Sequence, residues 1–537
     1  MKVYPDRGWL IVVLLAGVIS VMAFKSMQAD ILGLFHDDGV YAVTAQSIAA
    51  GTGYRIISVP GAPAQTKYPV LYPFLLSWIW SESPAFPANI LLLKSVNAFS
   101  AFAVMLLSYS LFRRHTGRSG VSALAYVFLV GTNLMMISCA DFALSDNLFE
   151  MFVMAALVLH DRGAGDRSSW SGAVMVSLGF LTRVSGASLI VAGLVWVVVE
   201  GTRRRAIVYA AIVSGLTLPW FVWRAGVPEA TNPLLAYYTG YEPSALTFAR
   251  VQPRQAWQIV SGNVRYMLAS FDVSLLLYML PVLRWLVGAL VLLGACALIR
   301  RRRPVFLVLF FAVYTGAVIN YPFAPGRYIM PLLPIVILAL FVGVFAAQAR
   351  LLTLRGARAA GPLIVGILAL PVALLMTLNL LWLRSYNRQS SNHDPVRGFG
   401  VRLTYGWSGF TETFEWVRNH TNVGDVLATP YDPMYYLYTG RKGVRPWLHH
   451  PETYFYPVGR AVPNLGDPVE IRDALNDLGV RYLVIDPLDG YAESVAAPKF
   501  FDRLLATYPS KPRLVFTSHD LAHRIYDLRP SPAPAVR

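Results

Sequence analysis

Two adjacent carboxylates, Asp37 and Asp38, open a short helical pattern in Phe35-His36-Asp37-Asp38-Gly39-Val40-Tyr41, and Gly51-Thr52-Gly53 closes it, glycine being a common residue just past a helix end. A carboxylate beside a hydroxyl can take its proton as the oxygen attacks an electrophile. The same side chain at a helix start can equally cap free backbone N–H groups. Asp38, Tyr41, Ala42, Ala45 and Ala49 share one face at helical spacing, which predicts a short helix lying along a membrane surface. Further on, Thr66-Lys67-Tyr68-Pro69-Val70-Leu71-Tyr72-Pro73 sets a cation in a proline-stiffened turn, where it can meet a phosphate or snorkel to lipid headgroups. Asp146 and Glu150 stand one turn apart in Ser145-Asp146-Asn147-Leu148-Phe149-Glu150. Arg183, in Leu181-Thr182-Arg183-Val184-Ser185-Gly186, and Arg327, in Pro325-Gly326-Arg327-Tyr328-Ile329-Met330-Pro331, can each bind an anionic ligand or pair with a carboxylate of the protein.

The elements that must position these groups are apolar. Of the 537 residues, 55% are hydrophobic and only 14% charged, with a mean hydropathy of +0.49; soluble domains average roughly 25% charged. A formal charge of +16 invites a nucleic-acid reading, but the basic residues sit in short clusters between apolar runs, which excludes it. Eleven spans are predicted, near 9–24, 89–112, 119–137, 147–160, 170–181, 187–199, 206–223, 281–299, 304–320, 328–346 and 361–383. The fifth and sixth are short enough to be half-spans within the bundle. The Trp9–Phe24 run is read as an uncleaved first span, since no small-x-small cleavage site follows it. Cys139 and Cys296 are far apart in sequence and imply no disulfide framework.

Alternate loops carry Arg113, Arg114 and Arg118; Arg162 and Arg167; Arg203 to Arg205; Arg300 to Arg303; and Arg350, Arg355 and Arg358, with Lys2 and Arg7 on the same side. Positive residues gather on the cytoplasmic face. The opposite face therefore receives the loops near 25–88, 138–146 and 224–280 and everything after Leu383. The tail alternates helix (Glu412–Asn419, Glu470–Leu478) with strand (Val426–Thr429, Tyr482–Ile485, Leu514–Ser518) and ends in a Pro-Ser-Pro-Ala-Pro stretch expected to be disordered. Two domains are expected: residues 1–383 as the membrane part and 384–537 as an extracytoplasmic α/β domain. No internal repeat is evident, which argues against a transporter or flippase built from duplicated halves, the main rival reading.

In this order the segments resemble the polytopic GT-C glycosyltransferases, specifically the protein O-mannosyltransferase superfamily (glycosyltransferase family 39), the bacterial aminoarabinose transferases and the Rgt-type lipopolysaccharide glycosyltransferases. The resemblance is carried by the acid pair followed by Tyr41, Ala45 and Gly51, by Lys67-x-Pro69 leading into Leu71-Tyr72-Pro73, by Leu144-Ser145-Asp146, and by Arg327-Tyr328-Ile329-Met330-Pro331 before Leu332-Leu333-Pro334. In the tail it is carried by Tyr438-Thr439-Gly440-Arg441 and Leu478-Gly479-Val480-Arg481-Tyr482. It implies a GT-C helical membrane bundle with an extracytoplasmic α/β domain, in the bacterial inner membrane, with the N-terminus cytoplasmic. It also implies inverting transfer of one sugar from a polyprenyl-phosphate donor to a lipid, glycan or protein acceptor. Asp37 then matches the family's essential acid, with Asp38 as its support or as a second acceptor contact, and Lys67 matches a lysine that contacts the donor phosphate. Arg183, Arg327 and Tyr328 are assigned to the same phosphate, and Asp146, Tyr41 and His36 to orienting the acceptor or a cation. Asp37, Lys67 and at least one of the arginines are expected to line one outward cavity. In the aminoarabinose enzymes a glutamate that precedes the lysine helps hold a metal. Thr66 stands there in this chain, so a divalent metal is an open expectation. The Trp-Trp-Asp motif of oligosaccharyltransferases is missing from the tail, which disfavours transfer of a whole oligosaccharide to asparagine.

Overall fold

Each of the eleven apolar segments is helical in the computed structural model of the chain. The structure describes residues 7–163, 165–228, 230–240, 249, 253–300, 305–321, 325–353, 361–390, 397–398, 401–402, 406–448, 464–488 and 492–529. The Pro-Ser-Pro-Ala-Pro terminus and the basic residues Lys2, Arg301 to Arg303, Arg355 and Arg358 lie outside these. The helices are Arg7–Lys25, Ile90–Thr116, Val121–Gly131 with Leu134–Asp141, Asp146–His160, Asp166–Thr182, Ala187–Glu200, Arg203–Ala225, Pro281–Arg300, Val305–Ile319, Leu333–Leu352 and Gly361–Ser390. Among the described residues, six helices are long and apolar enough to cross a bilayer, or seven if a pair bent by 43° counts as one span. That bend falls where the Asn133 side chain accepts from the Met135 N–H and starts a new helix. Leu10, Leu14 and Val18 on the first helix, Val282, Trp285 and Leu292, and Leu363 and Ile367 are all exposed. Helices with bare apolar flanks need a hydrocarbon solvent; the chain is an integral membrane protein.

The chain divides into two compact units whose membership follows topology rather than sequence order. The first comprises Met1–Met27, Lys94–Val222 and Asn263–Ser391 and holds most of the apolar helices. One helix crossing in it is backbone on backbone: a Cβ on Gly294 would stand 1.8 Å from the Ala339 carbonyl oxygen, and one on Gly343 1.8 Å from that of Leu290. Small residues permit such approaches where no hydrophobic effect drives helices together. A buried polar knot ties three other helices of this unit. Lys94 Nζ lies 3.1 Å from Asp141 Oδ1, and the Tyr386 hydroxyl donates to Asp141 Oδ2 at 2.6 Å.

The second unit comprises Gln28–Leu93, Trp223–Gly262 and Asn392–Arg537. A single cut at residue 383 therefore does not describe it, because the first long loop and part of the 224–280 loop fold with the tail. Short strands β1 (Arg397–Gly398) and β2 (Val401–Arg402) pair antiparallel. The main sheet contains β3 (Val426–Ala428), β4 (Gly443–Val444), β5 (Val480–Ile485), β6 (Arg513–Thr517) and β7 (Arg524–Asp527) in the order β4-β3-β5-β7-β6. β3 runs parallel to β4 and β5; β7 is antiparallel to β5 and β6. Helices Trp407–His420, Asp432–Thr439, Pro468–Asp477 and Ala497–Ala506 complete an α/β layer. The predicted surface helix exists as Asp37–Ala49, but eight consecutive residues from Asp38 to Ala45 are buried. It is a core helix of this unit rather than an amphipathic one.

Candidate functional site

The two acids of the first loop have different partners. His36, not an aspartate, is the residue that precedes the helix; its φ is 67° and its side chain makes no capping bond. Asp38 is buried, and its Oδ2 accepts the N–H of Gly33 at 2.7 Å, closing the turn that leads into the helix. Asp37 is half-buried, and its Oδ1 accepts the Tyr68 phenol at 2.7 Å. As the first helical residue it also sits at the positive end of the helix dipole. Burial, and then the Asp37 charge, hold the Tyr68 phenol well above its ordinary range, so Tyr68 stays protonated and is the donor of this bond.

Lys67 enters from the adjoining turn. Gln65 Oε1 accepts the backbone N–H groups of Lys67 (2.9 Å) and Tyr68 (3.2 Å), which fixes that turn. Lys67 Nζ donates to the Tyr237 carbonyl at 3.2 Å and lies 4.0 Å from the centre of the Tyr237 ring. Arg445, buried just after β4, donates from Nη1 to the Tyr237 hydroxyl at 3.2 Å with its guanidinium 5.0 Å from the same ring. Tyr237 thus holds two cations, one at its backbone and one at its phenol, and both lie within cation–π range of its ring. The helix that supplies it, Pro233–Thr239, starts where the Asn232 side chain accepts the Leu234 N–H. Tyr41 lies edge-on to Tyr68 and to Tyr72, each at 5.2 Å. His36 packs beside Tyr237, with ring centres 5.6 Å apart, and its Nε2 lies 3.1 Å from Asp432 Oδ1. Burial, followed by the Arg445 charge, lowers its pKa below 6.5.

The remaining predicted residues come together in the other unit. Arg183 Nη1 lies 2.7 Å from Asp146 Oδ2 and donates to the Ser145 hydroxyl at 3.1 Å. Arg327 Nη1 is 3.7 Å from the same Asp146 oxygen. Both guanidinium groups stand over the Tyr328 ring, at 5.5 Å and 5.6 Å. Tyr328 is fixed in turn, since its carbonyl accepts the Tyr314 hydroxyl at 2.9 Å. Of the two possibilities open for these arginines in the sequence, the structure shows both beside a protein carboxylate.

Among the described residues no group of three or more His, Cys, Asp and Glu is placed to hold a metal ion. Thr66 donates its hydroxyl to the Thr239 carbonyl at 2.7 Å. Tyr68, Tyr237, Arg445 and Asp432 went unassigned at the level of sequence. Tyr68 lay inside the Lys67 motif and could have been chosen; Arg445 and Asp432 carry no local signal.

No family model matches the sequence, and no curated protein matches it. Solved structures do match. The chain is similar to ArnT from Cupriavidus metallidurans bound to undecaprenyl phosphate, at 15% identity and TM-score 0.54, over 98% of this chain and 99% of that one. It is also similar to the archaeal oligosaccharyltransferase AglB from Archaeoglobus fulgidus, in complex with an inhibitory peptide and a dolichol-phosphate, at 12% identity and TM-score 0.55, over 98% of this chain and 75% of that one. These likenesses run through both units, and the fold of the chain is that of the GT-C glycosyltransferases.

Proposed function

We propose that the chain is an inverting glycosyltransferase that moves a single sugar from a polyprenyl-phosphate donor to a hydroxyl of a lipid, glycan or protein acceptor at the outer face of a bacterial inner membrane. The observation that carries the reading is the Asp37 carboxylate, bonded to the Tyr68 phenol beside the Lys67 turn, in a chain of GT-C fold. That ArnT binds undecaprenyl phosphate and AglB a dolichol-phosphate supports a lipid phosphate as carrier.

In the reaction the acceptor oxygen attacks the anomeric carbon, and its proton passes to Asp37 acting as general base. The bond from the anomeric carbon to the phosphate oxygen breaks on the opposite side, so one displacement inverts the centre. Polyprenyl phosphate departs with the electron pair and gains negative charge. Lys67 is assigned to that charge; a cation fixed before the reaction stabilises developing charge without reorganising. Asp146 keeps the guanidinium groups of Arg183 and Arg327 in place. Asp38 is assigned to holding the loop through Gly33 rather than to contact with substrate.

Purified protein in nanodiscs, supplied with lipid-linked sugar and acceptor, tests the reading. Asp37→Asn should lower transfer by about 100-fold to 10,000-fold, the usual contribution of a general base. Unchanged turnover would refute the mechanism. Movement of the lipid-linked sugar across the bilayer without transfer would establish the transporter reading instead.

A further inference from the structure

The proposed base is the first residue of its helix, so the backbone just before it decides where it points. That backbone is unfavourable by itself. His36 has φ 67°, a region where a residue with a Cβ is strained, and it makes no side-chain bond to the helix it starts. A strained conformation persists only where its surroundings over-determine it.

One short helix of the α/β layer, Asp432–Thr439, supplies those surroundings within the same unit. Asp432 is fully buried, and its Oδ1 accepts from Nε2 of the buried His36 at 3.1 Å. A Cβ on Gly39 would stand 2.7 Å from Pro433 Cβ, and one on Gly33 2.7 Å from Met434 Cβ. The two glycines let the loop close onto that helix. Tyr438 completes the contact by accepting the Leu32 N–H at 3.2 Å and donating to the Asp30 carbonyl. Residues 30, 32, 33, 36 and 39 are thus all seated on one element of the tail. Because burial keeps His36 neutral, its Nε2–H can donate to Asp432 without charging the ring.

We propose that Asp432 is a positioning residue for sugar transfer: through His36 it sets the direction of Asp37, and by this route the α/β tail takes part in catalysis. The catalytic half of this proposal rests on Asp37 being the base; the clamp itself does not.

The test uses the full-length protein in nanodiscs and reads hydrogen exchange alongside kinetics. Asp432→Ala should speed exchange in peptides spanning residues 30–40. It should also lower kcat on the order of 10-fold to 100-fold with donor KM changed by less than about 3-fold, the pattern expected of a misplaced catalytic group. Asp432→Asn keeps an acceptor for Nε2–H and should restore both readouts towards wild type. In a His36→Gly background, where glycine takes φ 67° without strain, adding Asp432→Ala should cost little more. If Asp432→Ala does not accumulate, His36→Ala breaks the same bond from the other side and should show the same faster exchange. Wild-type exchange in the broken-bond variants overturns the proposal, as does an undiminished kcat loss from Asp432→Ala in the His36→Gly background. Faster exchange in a protein whose Asp37→Asn variant still turns over would leave the clamp standing and remove only the base assignment.

Discussion

At the scale of single residues, burial decides the protonation of the groups around Asp37. His36 is a base whose charged form is disfavoured in the folded state, first by burial and then by Arg445, against the smaller pull of Asp432 and Asp37. Its folded pKa lies below the ordinary 6.5, so the unfolded chain binds the extra proton first as the pH falls. Stability from this group is therefore complete above about pH 6.5 and is lost as the pH drops below it, by at most about 1.4 kcal/mol per pH unit. Denaturant unfolding at pH 7.5 and pH 5.5 should show a shallower pH dependence in His36→Asn, which cannot titrate; equal dependence in both proteins would rule this out. The choice between Asp37 and Asp38 was not available from their types, which are identical. The family resemblance singles out Asp37, and the structure gives the two acids different partners, the Gly33 N–H on Asp38 and the Tyr68 phenol on Asp37.

At the scale of elements, close approaches make specific glycines costly to replace. Gly39→Ala should force helix Asp37–Ala49 away from Pro433 and destabilise the second unit by roughly 1–3 kcal/mol, the usual cost of overpacking. Gly294→Ala and Gly343→Ala meet backbone oxygens rather than movable side chains, and should cost more; both should lower the melting temperature of purified protein, whereas Asp37→Asn should leave it nearly unchanged. The helices of the bundle were legible because a run of apolar residues without breakers has few alternatives in a bilayer. In the tail, helices Trp407–His420 and Pro468–Asp477 and strands β3, β5 and β6 were also legible from turn residues and periodicity. Helix Asp432–Thr439 was not. Its Asp-Pro-Met-Tyr-Tyr-Leu-Tyr-Thr sequence is short and aromatic, with low intrinsic helix preference, and packing against the first loop supplies what propensity lacks.

At the scale of the whole molecule, orientation rests on five basic loops that all fall to one side. In a Cys139→Ser, Cys296→Ser background, an impermeant maleimide applied to spheroplasts should label Val423→Cys, which is exposed in the α/β tail, and spare Arg167→Cys in a basic loop. The reverse pattern would invert the topology and with it the outward placement of Asp37.

The sequence alone was enough for the apolar helices and for an α/β tail. These are properties of contiguous residues, since hydropathy and charge are summed over about 20 positions. Only the tertiary structure decided that Asp37 rather than Asp38 meets Tyr68, that Arg183 and Arg327 share Asp146, and that Tyr237 holds Lys67 and Arg445. It also decided that the first loop folds with the tail. His36 and Asp432 are 396 residues apart, and a hydrogen bond between such residues exists only where the fold brings a donor and an acceptor within about 3 Å.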